Sequence, residues 1–138
     1  MSQGYAVVDW VDDEACCYEY RVLLHKDIDI MDDDIMLMGK LNGERNDLNI
    51  YVSVLEPYYY LEVLKTTYTE KDHEWKFFTM KEYSIKYIEL MNKVDRYFYK
   101  KGYRKLTDAE ILMPVPDVET TYRDVNKVNV FHCLFMDL

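Results

Sequence analysis

Hydrophobic and polar positions alternate with period two over most of the first half of the chain. Tyr5–Val11 alternates and is rich in valine and aromatics, so it reads as a strand. After a polar break at Asp12-Asp13-Glu14, Ala15–His25 sets Cys16, Tyr18, Tyr20, Val22 and Leu24 against Cys17, Glu19, Arg21, Leu23 and His25. The two runs predict an antiparallel hairpin. Ile35–Leu41 and Leu48–Leu55 flank the turn-rich NGERND and suggest a second hairpin. The first of these runs also fits a short helix, with Asp32–Asp34 as its acidic first turn. Tyr58–Tyr68, following Pro57, is expected to pair with Trp75–Phe78 across the polar EKDHE turn.

The period then changes to that of a helix. Tyr83, Tyr87, Leu90, Met91, Val94, Tyr97 and Phe98 recur on one face, and Ile85, Ile88 and Tyr99 lie off it. Thr79 with Glu82 has capping-box spacing, Gly102 stands where a C′ glycine belongs, and Lys100 and Lys101 crowd the last turn. A helix over about 80–101 follows, roughly 33 Å long at 1.5 Å per residue. Thr107 and Glu110 repeat the capping spacing before Met113-Pro114 closes that turn. Val128–Phe135 is apolar at both alternating sets of positions and reads as a central or doubly covered strand. The architecture predicted is α+β: a mostly antiparallel sheet with one long helix packed on a face, in a single domain spanning 1–138.

Charge changes this picture more than composition does. The net charge is −9, and residues 1–34 carry ten acids against two bases, while residues 35–138 carry sixteen acids and fifteen bases. Such a distribution argues against direct nucleic-acid binding, which needs a basic footprint. It favours a basic partner approached under electrostatic steering. Tyrosine is in excess, at 14 residues, and its amphipathic ring suits binding surfaces. MSQGYAVVDW lacks the basic and apolar regions of a signal peptide, and no apolar run approaches the ~18 residues needed to span a bilayer. Three cysteines, two of them adjacent, do not form a disulfide framework, so a cytoplasmic protein is expected.

The candidate chemistry centres on HKDIDIMDDDIMLM, which holds Asp27, Asp29, Asp32, Asp33 and Asp34. An EF-hand loop starting at Asp27 would need an oxygen ligand, a glycine and a glutamate where Met31, Asp32 and Met38 stand, so the calcium pattern fails. A looser Asp-dependent site for a divalent metal stays open as an alternative, but no metal and no cofactor is expected. Crowded, exposed aspartates offer no pair of contrasting environments for acid–base catalysis. Cys16 and Cys17 point to opposite faces of a strand, and one of them is expected in the core. No GxGxxG, Walker A, HExxH or GxSxG motif occurs. What is left is a surface. Asp12, Asp13 and Glu14 sit at one end of the strand predicted over residues 15–25, and Asp27 to Asp34 at the other. EPYYYLE adds Tyr58, Tyr59 and Tyr60, with Tyr59 on the opposite strand face from its neighbours. Charge would steer a partner and exposed rings would anchor it.

In its size, in HKDIDIMDDDIM and DWVDDE, and in its lack of catalytic motifs, the chain resembles the small acidic immunity proteins of bacterial toxin systems. The resemblance implies a non-enzymatic inhibitor that binds a basic toxin or nuclease domain through protein–protein contact. Phage-encoded inhibitors of bacterial defence proteins share the same features and remain an alternative. A third reading is a structural subunit whose second apolar helix patch docks a larger assembly.

Overall fold

The computed structural model describes residues 7–10, 17–24, 43–80, 85–120 and 122–135. Five strands run in sequence order across one sheet, each antiparallel to its neighbour: β1 (Val7–Trp10), β2 (Cys17–Leu23), β3 (Glu44–Ser53), β4 (Tyr58–Thr69) and β5 (Glu74–Met80). A short β6 (Arg104–Lys105) lies parallel to the start of β4. The expected hairpins β1–β2 and β4–β5 are both present. The α+β class is as predicted.

The register explains the core. Leu48 of β3 lies between Val22 and Val63, and Ile50 between Tyr20 and Leu61. Alternation therefore gathers one apolar face across three strands. The helix α1 (Ile85–Lys100) covers that face with Tyr87, Leu90, Met91 and Val94, joined by Phe98. Ile85, Ile88 and Tyr99 stay exposed, as their position off the stripe implies, but Tyr97, placed on the stripe, is exposed too. A second core forms on the other face at one end of the sheet, from Cys17, Tyr51, Tyr60, Leu106, Ile111 and Phe135.

Several expectations need correction. Thr79 is not a helix cap: it sits in β5, opposite Leu64 of β4. The described part of α1 has 16 residues and is about 24 Å long. Its end is as expected, with Gly102 at φ +83°. NGERND is not a turn beyond Gly43, because Glu44 to Asp47 already belong to β3. These polar residues tolerate a central strand because Arg45 and Asp47 share a face, where Arg45 Nε donates to Asp47 Oδ2 at 3.0 Å. β2 and β4 flank β3, and Ile35–Leu41, expected as its hairpin partner, lies outside the described residues.

The largest correction concerns Val128–Phe135. The chain makes an isolated antiparallel bridge at Asn129, opposite Pro114, and then coils into the short helix α3 (Val130–Leu134). Asn129 Oδ1 accepts the His132 N–H at 3.1 Å, and His132 Nδ1 accepts the Asn129 N–H at 3.0 Å. That reciprocal cap outweighs the strand pattern. Phe131 and Phe135, four apart, pack together at 5.5 Å between ring centroids, so the helical period fits this short apolar run equally well. Between α1 and α3, the helix α2 (Asp108–Ile111) carries the expected Thr107–Glu110 capping box.

Candidate binding site

Asp12, Asp13, Glu14, Asp27, Asp29, Asp32, Asp33 and Asp34 lie outside the described residues. The three consecutive tyrosines are described, and strand alternation divides them as expected. Tyr59 faces α1, where it is 3% exposed and its ring stacks on Phe98 at 4.6 Å. Its hydroxyl donates to Asp95 Oδ1 at 2.7 Å. Burial, then the Asp95 carboxylate, push that hydroxyl's pKa upward. Tyr60 takes the other face, 4% exposed, stacked on Tyr51 and donating to Asp108 Oδ1 at 2.7 Å. Tyr58 is half-buried, with the Arg104 guanidinium 5.9 Å from its ring centroid. Tyr59, expected as part of a partner-binding surface, is therefore a core residue, and Tyr60 is one as well. An antiparallel sheet covered on both faces leaves neither ring free.

The second face carries a row of polar groups that the sequence did not single out. Beyond the Arg45–Asp47 pair, Asn49 Nδ2 donates to the Tyr51 hydroxyl at 3.3 Å. Tyr51 is pushed up by burial, then by Glu62 and Glu19. Glu62, opposite Asn49 on β4, has its pKa raised by burial first, then by the like charges of Asp108 and Glu19. Such a carboxyl can hold a proton, but it lines neither of two hollows that the described residues form. Among the described residues, no group of three or more His, Cys, Asp or Glu is placed to hold a metal ion.

The larger hollow is a groove of about 800 Å³ between α1 and the β2–β3 side of the sheet. Tyr18 and Tyr20 wall it on the strand side, and Tyr97 and Phe98 on the helix side. Tyr103 also lines it, Ile50 and Val52 supply apolar surface from β3, and Lys93 and Lys101 reach it from the helix side. A smaller hollow of about 430 Å³, over the β3–β4 turn at Val54 to Pro57, shares Tyr18 and Tyr103 with it. No local motif encodes this groove, since its walls come from β2, β3, α1 and the segment after α1. The one signal was Tyr18 and Tyr20 at alternate positions of β2, which put two large rings on one face.

A second exposed apolar feature is β5. It pairs with β4 on one edge, and no described strand pairs with its other edge. Phe77 and Phe78, on its opposite faces, are 60% and 48% exposed. Compared with known proteins, the chain matches no family model, no curated protein and no solved structure.

Proposed function

We propose that the chain is a non-enzymatic, acidic protein-binding inhibitor of the immunity type, which neutralises a toxin or nuclease domain by covering a basic surface. The observation that carries this reading is β5. A strand whose second edge is paired by no described strand, with aromatic side chains exposed on both faces, is unfavourable for an isolated protein, and such edges serve to add a partner's strand. Segregation of charge into residues 1–34 adds a steering field of the sign a basic partner needs. Main-chain hydrogen bonds along β5 would supply affinity, Phe77 and Phe78 the anchoring contacts, and the aspartates the rate of encounter.

The test is affinity capture from the native host with three proteins: wild type, Phe77→Glu, and Asp32→Asn/Asp33→Asn/Asp34→Asn. The expected result is a basic protein retained by wild type, weakened in both variants, and inhibited when mixed with the wild-type chain. A captured protein that both variants hold equally well, or whose activity is unchanged by binding, overturns the reading.

A further inference from the structure

We infer that the groove between α1 and β2–β3 is a binding site for an aromatic anion, a small molecule with a flat ring and a carboxylate, sulfonate or phosphate group. This inference stands apart from the proposed role of β5 and uses none of its residues.

The dimensions come first. A volume of about 800 Å³ falls within the roughly 300–1,000 Å³ range of small-ligand sites. The interior is apolar where Ile50, Val52, Leu90 and Val94 approach it. Aromatic rings wall it on both sides. Tyr18 and Tyr20 lie with ring centroids 6.5 Å apart and planes 28° from parallel, and Tyr97 meets Phe98 edge-on at 5.3 Å. A flat ring entering between strand and helix can stack on the first pair and meet the second.

Charge then selects among flat ligands. The chain has 26 acids, yet no described residue lining the groove is acidic, and the two charged ones are Lys93 and Lys101. Elsewhere Lys65, Lys76, Lys105 and Lys127 each pair with a carboxylate, whereas Lys71 and Lys100 make no such pair among the described residues. Lys93 and Lys101 make no such pair among the described residues, and the Lys101 ammonium instead sits 5.8 Å from the Tyr97 ring centroid. Two cations with no counter-ion among the described residues, beside an apolar aromatic cleft, are complementary to an anion tethered to a ring. A neutral ring would leave them unused, and a cationic one would be repelled.

The probe is 8-anilinonaphthalene-1-sulfonate, titrated into the full chain by calorimetry and fluorescence, with neutral 1-anilinonaphthalene as control. One saturable site is expected, with chemical-shift changes centred on Tyr97 and Tyr103 and not on Phe77. Lys93→Glu/Lys101→Glu should weaken the sulfonate by at least about tenfold while leaving the neutral compound unaffected, since two exposed charge contacts are reversed. Both substitutions are on exposed side chains, and circular dichroism checks the fold. Competition by adenosine monophosphate or by indole-3-acetate distinguishes a phosphate-bearing from a carboxylate-bearing ligand. The inference is overturned if the charge-reversed protein binds the sulfonate as wild type does, if the neutral compound binds equally well, or if neither competitor displaces the probe.

Discussion

Glu62 shows how a single residue can record a conflict in the fold. Its strand position places it opposite Asn49 on a covered face, within the fields of Asp108 and Glu19. Desolvation and like charge both disfavour the ionised form, so the folded protein binds this proton more tightly than the unfolded chain does. Its contribution to stability is complete below the ordinary glutamate value of 4.5 and is lost as pH rises through the raised folded value. Glu62→Gln should therefore be more stable than wild type at pH 8 and differ far less at pH 4, as read from urea midpoints at the two pH values. A Gln variant weaker than wild type at pH 8 would mean that the carboxylate makes a stabilising contact outweighing its burial. The sequence could not flag this residue. EPYYYLEV marks Glu62 as the polar member of an alternating strand, and only the covering of the second face by the C-terminal segment turns that position inward. Tyr59 failed in the same way. Alternation assigned it a face, but which face α1 would cover depends on packing between segments far apart in sequence.

Elements were legible where periodicity was long and illegible where it was short. The alternation of β2 and β4 and the stripe of α1 extend over enough residues for one period to win. Leu90→Ala should accordingly cost ~2–5 kcal/mol, as truncation in a filled core does, whereas Ile88→Ala on the exposed side should change stability by no more than about 0.5 kcal/mol. Equal effects in chemical denaturation would put the wrong face of α1 against the sheet. Val128–Phe135 is too short for its period to decide between strand and helix, and the Asn129–His132 cap does so instead. NGERND misled because its polarity resembles a turn, while in the fold Arg45 and Asp47 pair with each other between two flanking strands. Gly43 kept its turn role. At φ +79° an added Cβ would lie 2.8 Å from the Tyr68 carbonyl oxygen, whereas at Gly102, φ +83°, it would meet nothing within 4 Å. Gly102→Ala should then lose only the ~1–2 kcal/mol of a left-handed alanine. Gly43→Ala should lose more, because the backbone of β4 must also move. Thermal or urea melts of the two variants give the ordering directly.

On the scale of the whole molecule, two kinds of surface feature are segregated: charge along the sequence and exposed aromatics in space. The first is legible in the sequence, since ten of 26 acids fall within residues 1–34. The second is not, because the β5 edge is defined only by the strand order, and the groove only by where α1 lies on the sheet. Aspartates as close as Asp32, Asp33 and Asp34 repel one another, and that repulsion opposes compact folding unless a cationic partner relieves it. Steering acts over about 10 Å at 0.1 M salt and is screened beyond, so it governs encounter, while packed aromatic contacts govern escape. Neutralising Asp32, Asp33 and Asp34 to asparagine should slow association and flatten its dependence on ionic strength. Phe77→Ala should leave association near the wild-type rate and speed dissociation, because it removes an anchor rather than a field. With the captured partner in hand, stopped-flow measurements at low and high salt separate the two. An unchanged association rate for the triple-asparagine protein at low salt would reduce the aspartates to a solvated segment, and an unchanged dissociation rate for Phe77→Ala would remove β5 from the interface.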